Sequence, residues 1–396
     1  MLAALQLELS LLADLQKELD QRKADGLLRQ RRLLDSPQAE YIVANGQDYL
    51  SFCSNDYLGL ANHPKLIATM QAAAGDSGVG SGASNLITGH HRYHDALEKI
   101  LAKFVDLPAA LVFSTGYMAN IGVLGALVGR GDVIFADKLN HACLNDGGYY
   151  SLAEFHRFAH NDVAALEKLL KTSTAKHKLI AVDAVFSMDG DIAPLPDYLR
   201  LCEQYDAYLY VDDAHGFGVL GQHGKGCLSH FNLASPRIIY MATLGKAAGV
   251  AGAFVAGQQV VIDYLIQTAK SYVYSTPAPP ALSATLAESV NLIENGDDLR
   301  VHLQHLITTL KQHLHLKNWK LLPSETAVQP LIVGSNIAAV SLSEHLQKLG
   351  ILVPAIRPPT VPVNTARLRI SLSAAHSEQD VIKLAEALNT AEEMLK

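Results

Sequence analysis

Apolar residues recur along this chain in two rhythms, and the alternation between them is the first structural signal. Between about 95 and 260, short runs rich in Val, Ile and Tyr stand at 110–113 (ALVF), 132–136 (DVIFA), 178–184 (KLIAVDA), 207–214 (AYLYVDDA), 237–243 (RIIYMAT) and 252–257 (GAFVAG). Segments with apolar positions at helical spacing, such as 93–104 and 162–171, separate them. Continuous apolar strands alternating with helices predict an α/β fold with a mostly parallel sheet covered on both faces. Ligands in such sheets sit beyond the carboxyl ends of the strands. The residues that follow each run therefore carry the candidate chemistry.

The flanks read differently. Residues 1–24 have apolar positions at helical spacing and predict an amphipathic helix, followed by a basic stretch with Arg29, Arg31 and Arg32. Residues 41–52 (YIVANGQDYLSF) predict a hairpin turning at Asn45-Gly46. A Pro-rich hinge, STPAPPA at 275–281, precedes a long helical stretch to about 316. A second small α/β unit follows, built from QPLIVG, a helix at 337–349, ILVPAIRP, ARLRISLS and a last helix from 377. The predicted division is an N-terminal helix and hairpin segment at 1–50, a large domain at 51–280 and a small C-terminal α/β domain at 281–396. The small domain is expected to pack with the N-terminal residues.

Composition narrows the function class. A chain of 396 residues is long enough for two α/β domains. Hydrophobic residues make up 49% and charged residues 18%, as in an ordinary globular protein. A net charge of −7 gives no general attraction to nucleic acid. The 4 cysteines form no CxxC pair, which suits a reducing cytosol. The early charges are acidic, unlike those of a secretory signal, and no apolar run reaches the roughly 20 residues that span a bilayer. A cytoplasmic protein with no membrane and no nucleic-acid partner is expected.

The run at 207–214 ends in V-D-D-A-H-G, which places Asp212 and His215 at a strand end. A buried carboxylate there needs a positive partner to stay ionised, and a protonated pyridine nitrogen would serve. Taken alone, the motif reads equally well as a capped turn. The next run ends in T-L-G-K, with Lys246 among Gly245, Ala247, Ala248 and Gly249. An apolar pocket favours the neutral, nucleophilic amine, and small neighbours leave room for a planar ring. A lysine to carry the cofactor and a carboxylate for its pyridinium nitrogen, on adjacent strand ends, are what pyridoxal-phosphate chemistry needs. Gly116 and Tyr117, in STGYMAN, stand at the expected start of a helix, a ready anion site, and the hydroxyl of Thr243, and that of Ser275 or Thr276, could complete the cradle. His141 and Ser187 each follow another strand run, and an imidazole at 141 could stack on a flat ring.

These residues lie in segments that resemble the α-oxoamine synthases, fold-type-I pyridoxal-phosphate enzymes. The resemblance spans nearly the whole chain. It is carried by SNDYLGL at 54–60, GSGASNLITGHHRYHDALE at 80–98, STGYMAN at 114–120, RFAHND at 157–162, VFSMDGD at 185–191, VDDAHGFGVLG at 211–221, TLGK at 243–246, YSTPAPP at 274–280 and RLRISLSAAH at 367–376. It implies a large domain with a seven-stranded-type sheet, a smaller α/β domain, and pyridoxal 5'-phosphate as cofactor. Lys246 would hold the cofactor covalently and then act as acid and base, with His141 and His215 beside it in the catalytic set. Asp212 would pair with the ring nitrogen, His215 and Ser187 would contact the ring hydroxyl, and His141 would stack on the ring. Gly116, Tyr117 and Thr243 would hold the phosphate. Arg367 would bind the amino-acid carboxylate, and Arg29 and Thr360 would contact substrate.

Within that family, QPLIVG at 329–334 and AIRPPTVP at 355–362 point to the members that condense L-alanine with pimeloyl-CoA or pimeloyl-ACP in biotin synthesis. The family is dimeric with sites at the interface, so Ser275 and Thr276 would serve the neighbour's site. The chain departs from the family at Ala247-Ala248, where Gly-Phe is frequent, and at Asp183-Ala184, where close relatives often have Glu-Gly. The rival readings are an enzyme using glycine and acetyl-CoA and, from another class, a non-catalytic scaffold on the same fold. Gly78, Gly80 and Ala83 fit G-x-G-x-x-A, but the preceding segment reads as helix where a dinucleotide site needs a strand. His90, His91 and His94 lack partners at a zinc spacing.

Overall fold

Every predicted apolar run is a strand, and the runs assemble into one central sheet. The computed structural model describes residues 2–25, 27–29 and 31–394. The strands in chain order are β1 (Tyr41–Ala44), β2 (Gln47–Ser51), β3 (Ala109–Phe113), β4 (Val133–Asp137), β5 (Glu154–Phe158), β6 (Lys178–Asp183) and β7 (Tyr208–Asp212). They continue with β8 (Ile238–Thr243), β9 (Ala253–Gly257), β10 (Lys320–Leu321), β11 (Val328–Gly334), β12 (Ile351–Leu352), β13 (Ala355–Ile356) and β14 (Ala366–Ser371). The seven-stranded sheet has the order β3-β9-β8-β7-β6-β4-β5. Only β9 runs against its neighbours.

Burial on both faces explains the continuous apolar runs. In β4, Val133 and Phe135 enter one hydrophobic core while Ile134 and Ala136 enter the other. Successive side chains point to opposite faces, so a strand covered by helices on each side must be apolar at every position. The strand of this sheet absent from the sequence prediction is β5, EFHRF. It is one of the two edges of the sheet, and only Phe158 is fully buried. Edge strands tolerate charge, and with Glu154, His156 and Arg157 exposed β5 leaves no apolar run, whereas the other edge, β3, is buried at four of its five positions.

The N-terminal hairpin turns at Asn45 (φ 50°) and Gly46 (φ 72°). Both are left-handed, the geometry that matches strand twist in a two-residue turn. Its β2 pairs in parallel with β12, so the N-terminal and C-terminal segments share a three-stranded sheet. The second sheet, β10-β11-β14-β13, is antiparallel. The long helical stretch is two helices, Pro280–Glu294 and Asp297–His313, separated at Asn295-Gly296. The first packs on helices Pro64–Ser77 and Arg92–Phe104 of the large region, and the second on Glu378–Met394. The change of packing partner falls at Asn295-Gly296, beyond the Pro-rich segment. The first helix, Leu2–Ala24, leaves Leu11, Leu12, Leu15 and Leu19 exposed. Among the described residues no helix is long and apolar enough to cross a membrane.

Candidate active site

The turns after β3, β4, β6, β7 and β8 converge on a cavity of about 200 Å³ at the carboxyl edge of the sheet. Gly116, Tyr117, His141, Ser187, Asp212, His215, Thr243 and Lys246 all line it. Lys246 sits in a tight turn after β8, closed by Gly249 N–H to Lys246 O at 2.8 Å and Leu244 N–H to Gly252 O at 2.8 Å. Gly249 has φ +69°, and a Cβ there would meet Ala61 N at 2.6 Å. The turn therefore admits only glycine at that point.

The amine and its neighbours form a directed chain. Lys246 Nζ lies 2.7 Å from His215 Nε2, and His215 Nδ1 lies 2.6 Å from Tyr57 Oη. Tyr57 Oη in turn donates to Asn55 Oδ1 at 3.1 Å. Burial, with the positive charges of Lys246 and Arg369, holds His215 well below the usual histidine range. A neutral His215 accepts from the amine at Nε2 and donates from Nδ1 to Tyr57. Burial pushes the Lys246 ammonium down to about 8, against the pull of Asp212. The neutral amine is thus accessible near neutrality.

Asp212 is the cavity's anion. Its Oδ2 accepts from Asn120 Nδ2 at 2.7 Å and its Oδ1 from Ala214 N–H at 3.0 Å. Tyr210 Oη donates to Asn120 Oδ1 at 2.7 Å, which turns the amide's N–H groups toward the carboxylate. Asp183 stands beside Asp212 in register on β6 and accepts from His141 N–H at 2.9 Å. Burial, then repulsion from Asp212, drives the Asp183 carboxyl well above the usual range. Two adjacent buried carboxylates do not both ionise. Burial raises Asp212 too, but Lys246, Asn120 and the Ala214 N–H draw it back, so of the pair Asp212 is the better placed to hold the charge. Burial also lowers His141, leaving a neutral ring on the cavity wall beside Cys143 Sγ, 2.7 Å from its Nδ1.

The other end of the cavity is a helix start. Helix Gly116–Leu127 is capped by Thr115, whose Oγ1 accepts from Met118 N–H at 3.1 Å, and Ala119 N–H bonds Thr115 O at 3.0 Å. The first-turn amides of Gly116 and Tyr117 have no helical partner. They face the cavity with Thr243, whose hydroxyl donates to Gly252 O at 3.1 Å. An accessible amine, a buried carboxylate, a flat neutral imidazole and a helix N-terminus fit a planar pyridine aldehyde bearing a phosphate.

A second cavity, of about 660 Å³, adjoins the first and shares His141 and Ser187 with it. Arg29, Thr360 and Arg367 line this second space, together with Lys138 and Arg157. Ser275 and Thr276 line neither; they border a small pocket with His90, His94 and Glu98. Both nitrogens of His94 are taken up by backbone, Nδ1 by His91 N–H at 2.9 Å and Nε2 by Ala278 O at 2.8 Å.

The two arginines of β14 differ in surroundings. Arg367 is ion-paired with Asp189 and donates to Met188 O at 3.0 Å. Arg369 is buried, donates to Ser187 O at 2.6 Å and Asn55 Oδ1 at 3.1 Å, and reaches Tyr57 Oη at 3.4 Å. Among the described residues no carboxylate pairs with Arg369. Sequence reasoning assigned no role to Tyr57, Asn120 or Asp183. A signal existed for two of them: Tyr57 lies in SNDYLGL, and Asn120 lies one helical turn beyond Gly116.

The family model "Aminotransferase class I and II" matches residues 47–388. A relative from Methylobacillus flagellatus named 8-amino-7-oxononanoate synthase is 57% identical over 383 residues, covering 97% of each chain. One of the same name from Nitrosospira multiformis is 58% identical, covering 94% of each. Among solved structures, a serine palmitoyltransferase of Sphingomonas wittichii superposes with a TM-score of 0.89 at 30% identity, covering 98% of this chain and 97% of that one. An 8-amino-7-oxononanoate synthase of Francisella tularensis superposes at 0.76 and 29% identity, covering 87% of this chain and 98% of that one. The fold, the lysine-centred cavity and these likenesses together place the chain in the class I and II aminotransferase family, on the branch of the 8-amino-7-oxononanoate synthases.

Proposed function

We infer that this chain condenses L-alanine with a pimeloyl thioester, releasing carbon dioxide and the free thiol of the carrier and leaving 8-amino-7-oxononanoate. The observation that carries the reading is Lys246 Nζ at 2.7 Å from a neutral His215, beside the buried Asp212. Pyridoxal 5'-phosphate, when bound, supplies the electron sink for the carbanion at Cα of L-alanine. Lys246 would carry the cofactor and move the Cα proton. Asp212 would keep the ring nitrogen protonated, its own charge held by Asn120 and Ala214. Gly116, Tyr117 and Thr243 would hold the phosphate, His141 would cover the ring, and His215 and Ser187 would meet the ring hydroxyl.

For the amino-acid carboxylate we propose Arg369 in place of Arg367. Arg367 is already neutralised by Asp189, whereas Arg369 directs a buried guanidinium toward Tyr57, and its acceptors among the described residues are neutral. A bidentate guanidinium is suited to a carboxylate. The 660 Å³ cavity offers room for the acyl chain, with Arg29 and Thr360 on its wall. That room supports pimeloyl over acetyl. The phosphate-bearing carrier, coenzyme A or acyl carrier protein, would enter from this side.

We also propose a cytoplasmic homodimer. Support comes from 4 unpaired cysteines and from exposed Leu86, Ile87, Tyr149, Tyr150 and Tyr274. Sedimentation of the holoenzyme should give twice the chain mass; a monomer at micromolar concentration would remove the dimer from the proposal. The reaction is tested by thiol release from pimeloyl-CoA with L-alanine, set against acetyl-CoA with glycine. Preference for the first pair is expected. Preference for the second would transfer the assignment to the glycine-using sister reaction, and release from neither would overturn it.

A further inference from the structure

Two turns that carry cavity residues meet at one imidazole outside the cavity. His160 follows β5. Its Nδ1 lies 3.1 and 3.2 Å from the two oxygens of Asp137, a carboxylate with no exposed side-chain surface at the end of β4. Its Nε2 lies 2.8 Å from Asp191 Oδ2, and its ring stands edge-on to Phe186 with centroids 4.4 Å apart. Asn161 repeats the bridge, with its N–H on Asp137 Oδ2 and its Nδ2 on Asp191 Oδ2, each at 2.8 Å.

The two carboxylates belong to different turns. Asp137 begins the β4 turn that leads to His141, and its Oδ1 also accepts from Leu139 N–H at 2.8 Å. Asp191 closes the loop that begins at Phe186 and carries Ser187; Phe186 N–H bonds Asp191 O at 3.0 Å and Gly190 N–H bonds Phe186 O at 2.8 Å. The arginines of β14 grip the same loop. Arg369 holds Ser187 O and Arg367 holds Met188 O and Asp189.

An imidazole with carboxylate oxygens at both nitrogens bonds both only when each nitrogen carries a hydrogen. Burial opposes that charge, but the bonds to Asp137 and Asp191 outweigh it and raise His160 to about 10. Ligating atoms of His160, Asp189 and Asp191 lie within 4.8 Å of one another. With both His160 nitrogens bonded and Asp189 paired to Arg367, the cluster is an ion-pair network and not a cation site.

We propose that His160 is a positioning residue: a doubly bonded imidazolium that sets the Ser187–Asp191 loop against the β4 turn, and through Ser187 O sets Arg369. It touches neither cofactor nor substrate. The proposal rests on the reading of Arg369 and Ser187 given above.

The test compares wild-type holoenzyme with His160→Gln and Asp191→Asn. Gln places an amide oxygen where a donor stood and cannot bond both carboxylates, while Asn removes one charge with little change of shape. Three quantities are read: circular dichroism of the bound cofactor's visible band, KM for L-alanine against kcat, and cofactor content. His160→Gln should retain cofactor, lose about half or more of the visible dichroism, and raise KM for L-alanine roughly tenfold with a smaller change in kcat. Asp191→Asn should fall between it and wild type. Should His160→Gln not fold, Asp191→Asn alone decides by the same readings. A folded variant with unchanged dichroism and KM would overturn the proposal. So would a loss of kcat that merely follows the folded fraction, since that marks a structural role. If wild type shows no L-alanine-dependent thiol release, the functional reading fails, while the dichroism still reports on the clasp.

Discussion

At the scale of single residues, the site depends on which groups hold protons. Lys246 should lose turnover on change to Ala by at least the 10²- to 10⁴-fold that positioned proton transfer contributes, with the covalent step lost besides. Thiol release measures it, and turnover within tenfold of wild type would remove Lys246 from its role. The lowered Lys246 also predicts a rate. Capture of pyridoxal phosphate by the apoprotein requires the neutral amine, so it should rise about tenfold per pH unit below about 8 and level off above. Stopped-flow absorbance follows this directly, and a plateau beginning only near 10 would show an unshifted lysine. Asp212 was legible as a strand-end carboxylate. Its state was not, because ionisation depends on Asn120 and Asp183, which arrive from a helix and a neighbouring strand.

At the scale of elements, turns and caps do the positioning. Gly190 has φ +71°, and a Cβ there would lie 2.4 Å from Val328 O and 2.5 Å from Ser324 Oγ. Gly190→Ala should cost about 2–4 kcal/mol, since backbone strain and overlap add. Chemical denaturation checks it, and a loss under about 0.5 kcal/mol would mean the loop is free to move. Helix Arg92–Phe104 is tied to β3 by Glu98, which accepts from Val112 N–H at 3.0 Å. Burial pushes Glu98 up to about 7 from 4.5. A raised carboxyl contributes stability that is fully present below about 4.5 and lost as pH rises through 7. The melting temperature of Glu98→Gln should therefore gain on wild type across that window and hold steady above it. A gap independent of pH would show that Glu98 titrates normally. Sequence periodicity found the helix and the strand; it held no sign that Glu98 would be buried against Val112 N–H.

At the scale of the whole molecule, the clasp at His160 joins the edge strand β5, the end of β4 and the loop after β6. A histidine raised from 6.5 to about 10 contributes stability fully present below 6.5 and lost as pH rises through 10. The melting temperature of wild type should exceed that of His160→Gln most at pH 6 and converge on it near 10; a constant gap would indicate a neutral ring. By itself, the sequence determined the strands of the central sheet except β5, the hairpin at Asn45-Gly46, and the set of residues at the strand ends. These are local: burial on both faces writes continuous apolar runs, and left-handed turns demand Asn and Gly. Only tertiary structure decided that β9 runs antiparallel, that helix Pro280–Glu294 packs with the large region, and that, among the described residues, a carboxylate pairs with Arg367 and none with Arg369. Strand direction and charge pairing are set by partners distant in sequence. Arg367 and Arg369 lie two apart on one strand, and only the arrival of Asp189 and Tyr57 from elsewhere distinguishes them.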